Sequence, residues 1–184
     1  MILTTERLHL REFKMDDWVD LHAIESDPEV ARYQGFEPRT VAETQAYIEH
    51  TLARARAEPR LTYDLAVVLH GSHAVIGRCG LEIADVESRE GVVWYTLHRS
   101  LWGNGYVPEA LRAVVDFGFL ELRLHRIWAD CDPRNRPSYR VLEKIGMRRE
   151  AHLVENAWLK GAWVDSLIYA VLDREWQARG QAIK

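Results

Sequence analysis

The segment Trp-Gly-Asn-Gly-Tyr at 102–106 constrains the fold of this chain more than any other stretch. It follows a run of β-forming residues, 92–97, and precedes Pro108-Glu109-Ala110, which is typical of a helix start. Two glycines one residue apart allow a tight turn whose backbone N–H groups approach an anion closely, and the following helix adds unpaired N–H groups and a partial positive charge. The pattern predicts a strand, a glycine turn and a helix N-terminus that suits a phosphate or pyrophosphate.

A glycine pair also occurs where a chain merely turns from a strand into a helix, and the residues alone leave that interpretation open. Two better-known phosphate-binding motifs are excluded, however. No Gly-Lys-Ser/Thr closes a P-loop, and the third glycine of a dinucleotide-binding fingerprint would fall on Pro108. The segment therefore predicts neither a P-loop NTPase nor a Rossmann domain.

Size and composition limit the class of protein. The chain has 184 residues, of which 47% are hydrophobic and 28% charged, and this predicts one globular domain, 1–184, with a full core. No apolar stretch approaches the roughly 20 residues of a transmembrane helix, and the N-terminus lacks the pattern of a signal peptide. We therefore expect a cytoplasmic protein with no membrane partner.

The net charge of the chain and the placement of its cysteines and histidines argue against nucleic-acid and metal ligands. A formal net charge of −4 argues against nucleic acid, because proteins that bind it nonspecifically usually carry a basic face. Cys79 and Cys131 form no C-x-x-C motif and lie in strand-like surroundings, so they are predicted to be small buried residues. His70 and His73 flank a turn with no third ligand nearby in sequence. No metal site is predicted.

Hydrophobic periodicity predicts a mixture of strands and helices. Helices are predicted after Asp16-Asp17, from about Thr40, from Pro108, and over 136–145, where Gly146 ends the last of them. Residues 33–38 are predicted to form a loop. Seven strands are predicted, at 2–13, 62–69, 74–83, 91–97, 126–131, 154–159 and 164–172.

Five segments carry a family resemblance: Trp-Gly-Asn-Gly-Tyr-Val-Pro-Glu-Ala at 102–110, Asn-Arg-Pro-Ser at 135–138, Glu-Lys-Ile-Gly-Met at 143–147, Leu-Thr-Thr-Glu-Arg-Leu-His-Leu-Arg at 3–11, and Gly-Ala-Trp-Val-Asp at 161–165. Together they resemble the GNAT superfamily of N-acetyltransferases, in particular its RimJ/RimL-like branch, which acetylates ribosomal-protein N-termini. The resemblance spans nearly the whole chain.

This resemblance implies an α+β (mixed α/β) fold with a central, mostly antiparallel seven-stranded sheet, splayed between strands 4 and 5 and flanked by helices. It also implies acetyl-coenzyme A as the co-substrate, with the pantetheine arm along the fourth strand and the pyrophosphate on the glycine turn. For Asn135, an ordinary helix N-cap is the alternative role. The implied cofactor-binding residues are Tyr95, Thr96, Leu97, Trp102, Gly103, Asn104, Gly105, Tyr106, Val107, Asn135 and Ser138.

Acetyl transfer from a thioester to an amine requires an unprotonated amine, a polarised carbonyl and a proton for the leaving thiolate. This chain has Val92 where the ribosomal-protein branch often has a glutamate, and Leu142 where the superfamily often has a tyrosine. We therefore predict Ser138, with Tyr139 beside it, as the donor near the sulfur, and Glu82 as the base. A surface-facing glutamate on a half-buried strand is the alternative for Glu82.

Aromatic residues border the acceptor groove in this family, and we predict that Tyr33, Phe36 and Trp163 line the pocket. The acceptor itself stays open between a protein N-terminus, an amino acid, a polyamine and an aminoglycoside. Because this branch often pairs, a homodimer is a further expectation.

Two other functions compete with acetyl transfer. The residues at 92 and 142 leave open a coenzyme A-binding module with little or no catalytic activity. A nucleotide-binding phosphotransferase is the third possibility, but the chain lacks the lysine and the metal-binding carboxylates which that chemistry needs.

Overall fold

The computed structural model describes residues 1–182, so positions 183 and 184 of the predicted domain lie outside the described residues. Eight strands in this range form one sheet: β1 (Ile2–Thr4), β2 (Leu8–Glu12), β3 (Thr62–Leu69), β4 (Val75–Asp85), β5 (Glu90–Leu97), β6 (Arg126–Cys131), β7 (Arg148–Leu159) and β8 (Ala162–Leu172). Their order is β1-β2-β3-β4-β5-β6-β8-β7, and all neighbours are antiparallel except β5 and β6. The mixed fold with a mostly antiparallel sheet is confirmed.

The predicted first strand, 2–13, is in fact two antiparallel strands, so the sheet has eight strands rather than seven. Leu3 of β1 lies opposite Leu10 of β2. Thr5 makes the turn between them, because its N–H donates to the Leu8 carbonyl at 2.9 Å and its Oγ1 accepts from the Leu8 N–H at 3.0 Å. Residues 4–7 are all polar but include no glycine or proline to mark a turn, so the alternation over 7–11 predicts a strand that extends back across them.

Strand β7 begins at Arg148, six residues before the predicted start at 154. Its pairing with β8 shifts twice, between Arg149 and Ala151 and between Leu153 and Ala157, and Glu155 in the second irregularity has a positive φ of 46°. Bulges interrupt the strict alternation of side chains, so the period-two pattern fails in this strand.

The helices cover both faces of the sheet. They are α1 (Trp18–Glu25), α2 (Pro28–Ala31), α3 (Val41–Ala55), α4 (Tyr106–Leu120), α5 (Arg136–Ile145) and α6 (Asp173–Ala182). Leu65 belongs to the core under α4 and α5, and the next residue, Ala66, to the core under α1 and α3. Burial on both faces explains why β3 reads as a continuous apolar run. No helix within residues 1–182 combines the length and the apolar character needed to span a bilayer.

Helices α2 and α6 were not predicted. The first is only four residues long, and the second carries few apolar residues at helical spacing.

The sheet opens between β5 and β6. These strands pair only at Glu90↔Arg126, Gly91↔Ile127 and Val92↔Trp128. Beyond Val92 they separate, and the edge of β5 that faces β6 continues to Leu97 without a strand partner among the described residues. This is the predicted opening between the fourth and fifth of the seven predicted strands, and it is confirmed.

Candidate active site

The glycine loop, residues 102–105, connects β5 to α4 by way of the 3₁₀ turn Arg99–Leu101. Gly103 and Gly105 both have φ of 79°, in the left-handed region that favours glycine, and Gly105 directly precedes α4. In the described chain, no heavy atom beyond Gly103 and its two chain neighbours lies within 4 Å of the place where a Cβ of Gly103 would stand. Backbone conformation, not crowding, therefore requires glycine here, and the space above the loop is open.

Side-chain donors hold the carbonyl groups of the loop. Asn104 Nδ2 donates to the carbonyl oxygens of Leu101 at 3.1 Å and Trp102 at 3.3 Å, and Arg7 Nη1 donates to that of Asn104 at 3.0 Å. In a trans peptide the N–H points opposite to the C=O, so the N–H groups of Gly103 and Gly105 point away from these donors. The first N–H groups of α4 have no carbonyl partner within the helix. Such a set of N–H groups can bind a phosphate.

Glu109 ties the loop to the first hairpin. Its Oε1 accepts from Thr5 Oγ1 at 2.5 Å and from the Arg7 N–H at 2.8 Å, and its Oε2 accepts from Arg7 Nε at 2.7 Å. Burial raises the pKa of Glu109, but the hydrogen bonds from Thr5 and Arg7 outweigh this, and the pKa lies below its ordinary value of 4.5. Arg7 was not among the predicted site residues, although an acidic residue at 109 beside a predicted anion site indicates that a cation should lie nearby.

Predicted cofactor residues border one small cavity between the end of β5 and the start of α4. Tyr95, Thr96 and Leu97 line it from the strand, and Tyr106 and Val107 line it from the helix. The indole of Trp102 donates to the Leu97 carbonyl at 2.9 Å, so the protein itself occupies that acceptor. The structure thus joins the strand end to the glycine loop, as the sequence predicts.

Tyr95 crosses the sheet opening to α5. Its hydroxyl donates to the Ser138 carbonyl at 3.0 Å and lies 2.8 Å from Ser138 Oγ. Burial raises the pKa of Tyr95 above its usual range, so the phenol stays protonated at neutral pH. Asn135 Oδ1 accepts from the Ser138 N–H at 3.3 Å and caps α5, which is the ordinary role left open by the sequence.

The family model described as "Acetyltransferase (GNAT) domain" matches residues 7–148. The chain belongs to the GNAT acetyltransferase family. This GNAT protein is 34% identical over 176 residues to the uncharacterized N-acetyltransferase YnaD of Bacillus subtilis (strain 168), covering 96% of this chain and 99% of YnaD. It is 31% identical to a solved acetyltransferase (GNAT family) from Bacillus anthracis, with a TM-score of 0.85, covering 95% of this chain and 100% of that one.

Mycobacterium smegmatis RimJ in complex with CoA-disulfide shares the fold of this GNAT protein, with a TM-score of 0.81 over 97% of this chain and 94% of that one, at 22% identity. The resemblance found in the sequence is confirmed at the level of the family, and the chain is an N-acetyltransferase.

The predicted base does not join the Tyr95–Ser138 pair of the GNAT site. Glu82 lies opposite Val92 in the sheet, whereas Tyr95 lies opposite Cys79. Positions 79 and 82 are an odd number of residues apart, so their side chains point to opposite faces. Glu82 instead pairs with Arg54 at 2.6 Å and is 40% exposed. Tyr139, next to Ser138, packs against the core under α4 and α5.

A buried polar cluster that was not predicted from the sequence lies on the face covered by α1 and α3. Arg78 Nε pairs with Glu25 Oε1 at 2.6 Å, and Arg39 Nε pairs with Glu25 Oε2 at 2.7 Å. Asp64 accepts from the Tyr47 hydroxyl and lies 3.6 Å from Arg78 Nη1. Burial raises the pKa of Asp64 and outweighs the lowering by Arg78. Such a cluster has no periodic signature in sequence.

The three predicted acceptor residues lie in two segments. Phe36 stacks on the Arg39 guanidinium at 4.4 Å and so borders the buried polar cluster, and Tyr33 lies three residues earlier in the same segment. Trp163, in the β7–β8 hairpin, meets Trp158 edge to face at 5.3 Å and is 59% exposed. Lys160 at the hairpin turn donates to the Ala31 carbonyl at 2.6 Å. This contact ties the hairpin to the segment just before Tyr33.

Cys79 and Cys131 are free and buried, as the sequence predicts. Within residues 1–182, no group of three or more His, Cys, Asp or Glu side chains is arranged to hold a metal ion.

Proposed function

We propose that this GNAT enzyme transfers an acetyl group from acetyl-coenzyme A directly to a primary amine, either a protein N-terminal α-amino group or the amine of a small molecule. The observation that carries the proposal is that the glycine loop follows β5. One edge of β5 pairs with β4, and the opposite edge separates from β6 beyond Val92. A pyrophosphate on the loop and a pantetheine arm in the opening belong to one ligand. RimJ, which shares this fold, was solved with CoA-disulfide, and this supports such a donor.

The residues present fit a pyrophosphate. The open space over Gly103, the outward N–H groups of Gly103 and Gly105, and the start of α4 offer hydrogen bonds and positive potential at one place. Tyr95 to Leu97 and Asn135 would border the pantetheine arm. Since Asn135 Oδ1 already caps α5, its amide nitrogen is the group that would meet the arm.

In this proposal Ser138 Oγ passes its proton to the leaving thiolate and regains one from water, and the Tyr95 hydroxyl, 2.8 Å away, holds Ser138 Oγ in place. Tyr139 stands beside this pair. Glu82 remains the proposed base; because it lies beside Arg54 on the face opposite Tyr95, it would act through water on an acceptor that approaches from that face. A lysine-like amine with a pKa near ~10 needs such help more than an α-amino group near ~8.

Free-thiol release from acetyl-coenzyme A, measured with N-terminal peptides, amino acids, polyamines and aminoglycosides, tests this function. We expect release that depends on one class of acceptor and is abolished in Gly105→Glu, because that change strains a left-handed φ and brings a second carboxylate to Arg7, whose Nη2 lies 3.5 Å from the position of the added Cβ. Absence of thiol release with every acceptor would contradict acetyl transfer, and absence of coenzyme A binding as well would contradict the cofactor.

A coenzyme A-binding module is the second candidate, and positions 92 and 142 favour it. Val92 carries no acid, and Leu142 is a core residue with 1% exposure rather than a proton donor at the site. In that case coenzyme A raises the melting temperature, while Ser138→Ala has no turnover to remove.

The homodimer, the cytoplasmic location and the single domain 1–184 remain predictions.

A further inference from the structure

We infer that Arg7 is a positioning residue that sets the glycine loop for a pyrophosphate group. The inference rests on the proposed function only in taking coenzyme A as the ligand of the loop. Three nitrogens of the guanidinium are engaged: Nε and Nη2 with Glu109 Oε2, at 2.7 and 2.6 Å, and Nη1 with the Asn104 carbonyl, at 3.0 Å. The guanidinium also lies over the Tyr106 ring, 4.5 Å from its centroid.

The contact with Asn104 selects the orientation of one peptide group. Rotating the Asn104–Gly105 peptide by half a turn would exchange its C=O and N–H, and glycine at 105 accepts φ of either sign. The loop therefore does not choose between the two orientations by itself. Arg7 holds the carbonyl on its own side, so the Gly105 N–H faces the other way. In the reversed orientation the carbonyl oxygen would repel a phosphate.

The contact with Glu109 removes an electrostatic conflict. Glu109 lies in the first turn of α4, where its negative charge would oppose a phosphate on the preceding loop. Thr5 and the Arg7 N–H hold this carboxylate in place independently of the guanidinium. Arg7 therefore neutralises a charge that would stay at the site if the guanidinium were lost.

Because Arg7 both orients the Asn104 peptide and neutralises Glu109, substitutions of Arg7 and of Glu109 should change the affinity for coenzyme A in opposite directions. Arg7→Met releases the Asn104 peptide and leaves the Glu109 charge uncompensated, so binding of coenzyme A should weaken by about tenfold. Glu109→Gln keeps an acceptor for Thr5 and frees a guanidinium that Asn104 and Tyr106 still hold. Binding should then tighten by about two- to threefold at low ionic strength. If the Arg7–Glu109 ion pair only stabilised the fold, coenzyme A binding would weaken in both Arg7→Met and Glu109→Gln.

The chain offers a matched control in Arg60. Its guanidinium pairs with Glu12 at 2.8 and 3.1 Å and lies over the Tyr63 ring at 4.3 Å, so it repeats the ion pair and the stacking away from the glycine loop. Arg60→Met should lower the melting temperature with less than about a twofold change in the affinity for coenzyme A.

The test is calorimetric titration of the full chain and these three variants with coenzyme A, beside thiol release by the unmutated chain. Opposite shifts for Arg7→Met and Glu109→Gln, with none for Arg60→Met, support the inference. Weakening in both variants of the pair, unchanged affinity in Arg7→Met, or equal weakening in Arg60→Met overturns it. Should Arg7→Met fail to fold, Arg7→Lys replaces it, with about threefold weaker binding expected because the planar fork is lost.

The same titration separates this inference from the proposed function. If the unmutated chain binds coenzyme A but releases no thiol with any acceptor, acetyl transfer fails while the comparison of variants still decides the role of Arg7. If the unmutated chain does not bind coenzyme A, both proposals fail.

Discussion

The Tyr95 hydroxyl lies 2.8 Å from Ser138 Oγ and 3.0 Å from the Ser138 carbonyl oxygen, so that one side chain of β5 spans the sheet opening and reaches the first turn of α5. If Ser138 supplies the proton to the thiolate, Ser138→Ala should lower kcat by about a hundredfold and Tyr95→Phe by about tenfold. The KM for acetyl-coenzyme A should change less than about threefold in both, because the pyrophosphate contacts remain. Steady-state thiol release measures this, and a full kcat in Ser138→Ala would show that another group supplies the proton.

Replacing Gly105 by alanine should destabilise the protein and weaken coenzyme A binding together. Gly105 has φ of 79°, where a Cβ costs about 1–2 kcal/mol. Gly71, in the turn between β3 and β4, has φ of 75° and open space around it, so Gly71→Ala should cost about the same stability. Urea unfolding and calorimetry of both variants separate the effects. Equal affinities for coenzyme A would mean that the loop conformation does not matter for binding.

The contribution of Glu109 to stability should depend on pH in one direction. Because the folded state lowers the pKa of Glu109 below 4.5, the unfolded chain takes up the proton more readily. The contribution is therefore full above pH 4.5 and is lost as the pH falls through the lower, folded-state pKa. Glu109→Gln should lower the free energy of unfolding by about 1–3 kcal/mol at neutral pH and by much less in strong acid. Urea unfolding across this range tests it, and a difference independent of pH would contradict it.

Arg78→Met should be strongly destabilising, because it leaves the buried Asp64 without a cation and Glu25 with Arg39 alone. Glu25 is fully buried and Asp64 is 6% exposed, and breaking a buried pair from one side costs about 3–5 kcal/mol. The exposed pair Arg32–Glu29, at 3.7 Å, provides the comparison, and Arg32→Met should cost less than about 1 kcal/mol. Denaturant midpoints of the two variants measure this. Similar midpoints would show that the cluster adds no stability.

Much of the fold could be predicted because the signals are local. Neighbouring residues encode the left-handed glycines, the Asn135 cap and the two-sided apolar run of β3. The period of the apolar residues distinguishes strand from helix. The errors occur where local patterns are ambiguous. The Thr5 turn contains no glycine or proline to mark it, and the Glu155 bulge breaks the period-two alternation inside a continuous strand.

The sequence by itself determined the family of this protein, the strand, glycine turn and helix order, and the residues that border the opening. Only the tertiary structure decided which charges meet. Arg7 and Glu109 are 102 residues apart, Glu25 and Arg78 are 53 apart, and Tyr95 and Ser138 are 43 apart. It also placed Glu82 beside Arg54, on the face opposite Ser138. Such contacts leave no periodic trace, because they arise when strands and helices distant in sequence pack, and the cost of burying a charge then selects its partner.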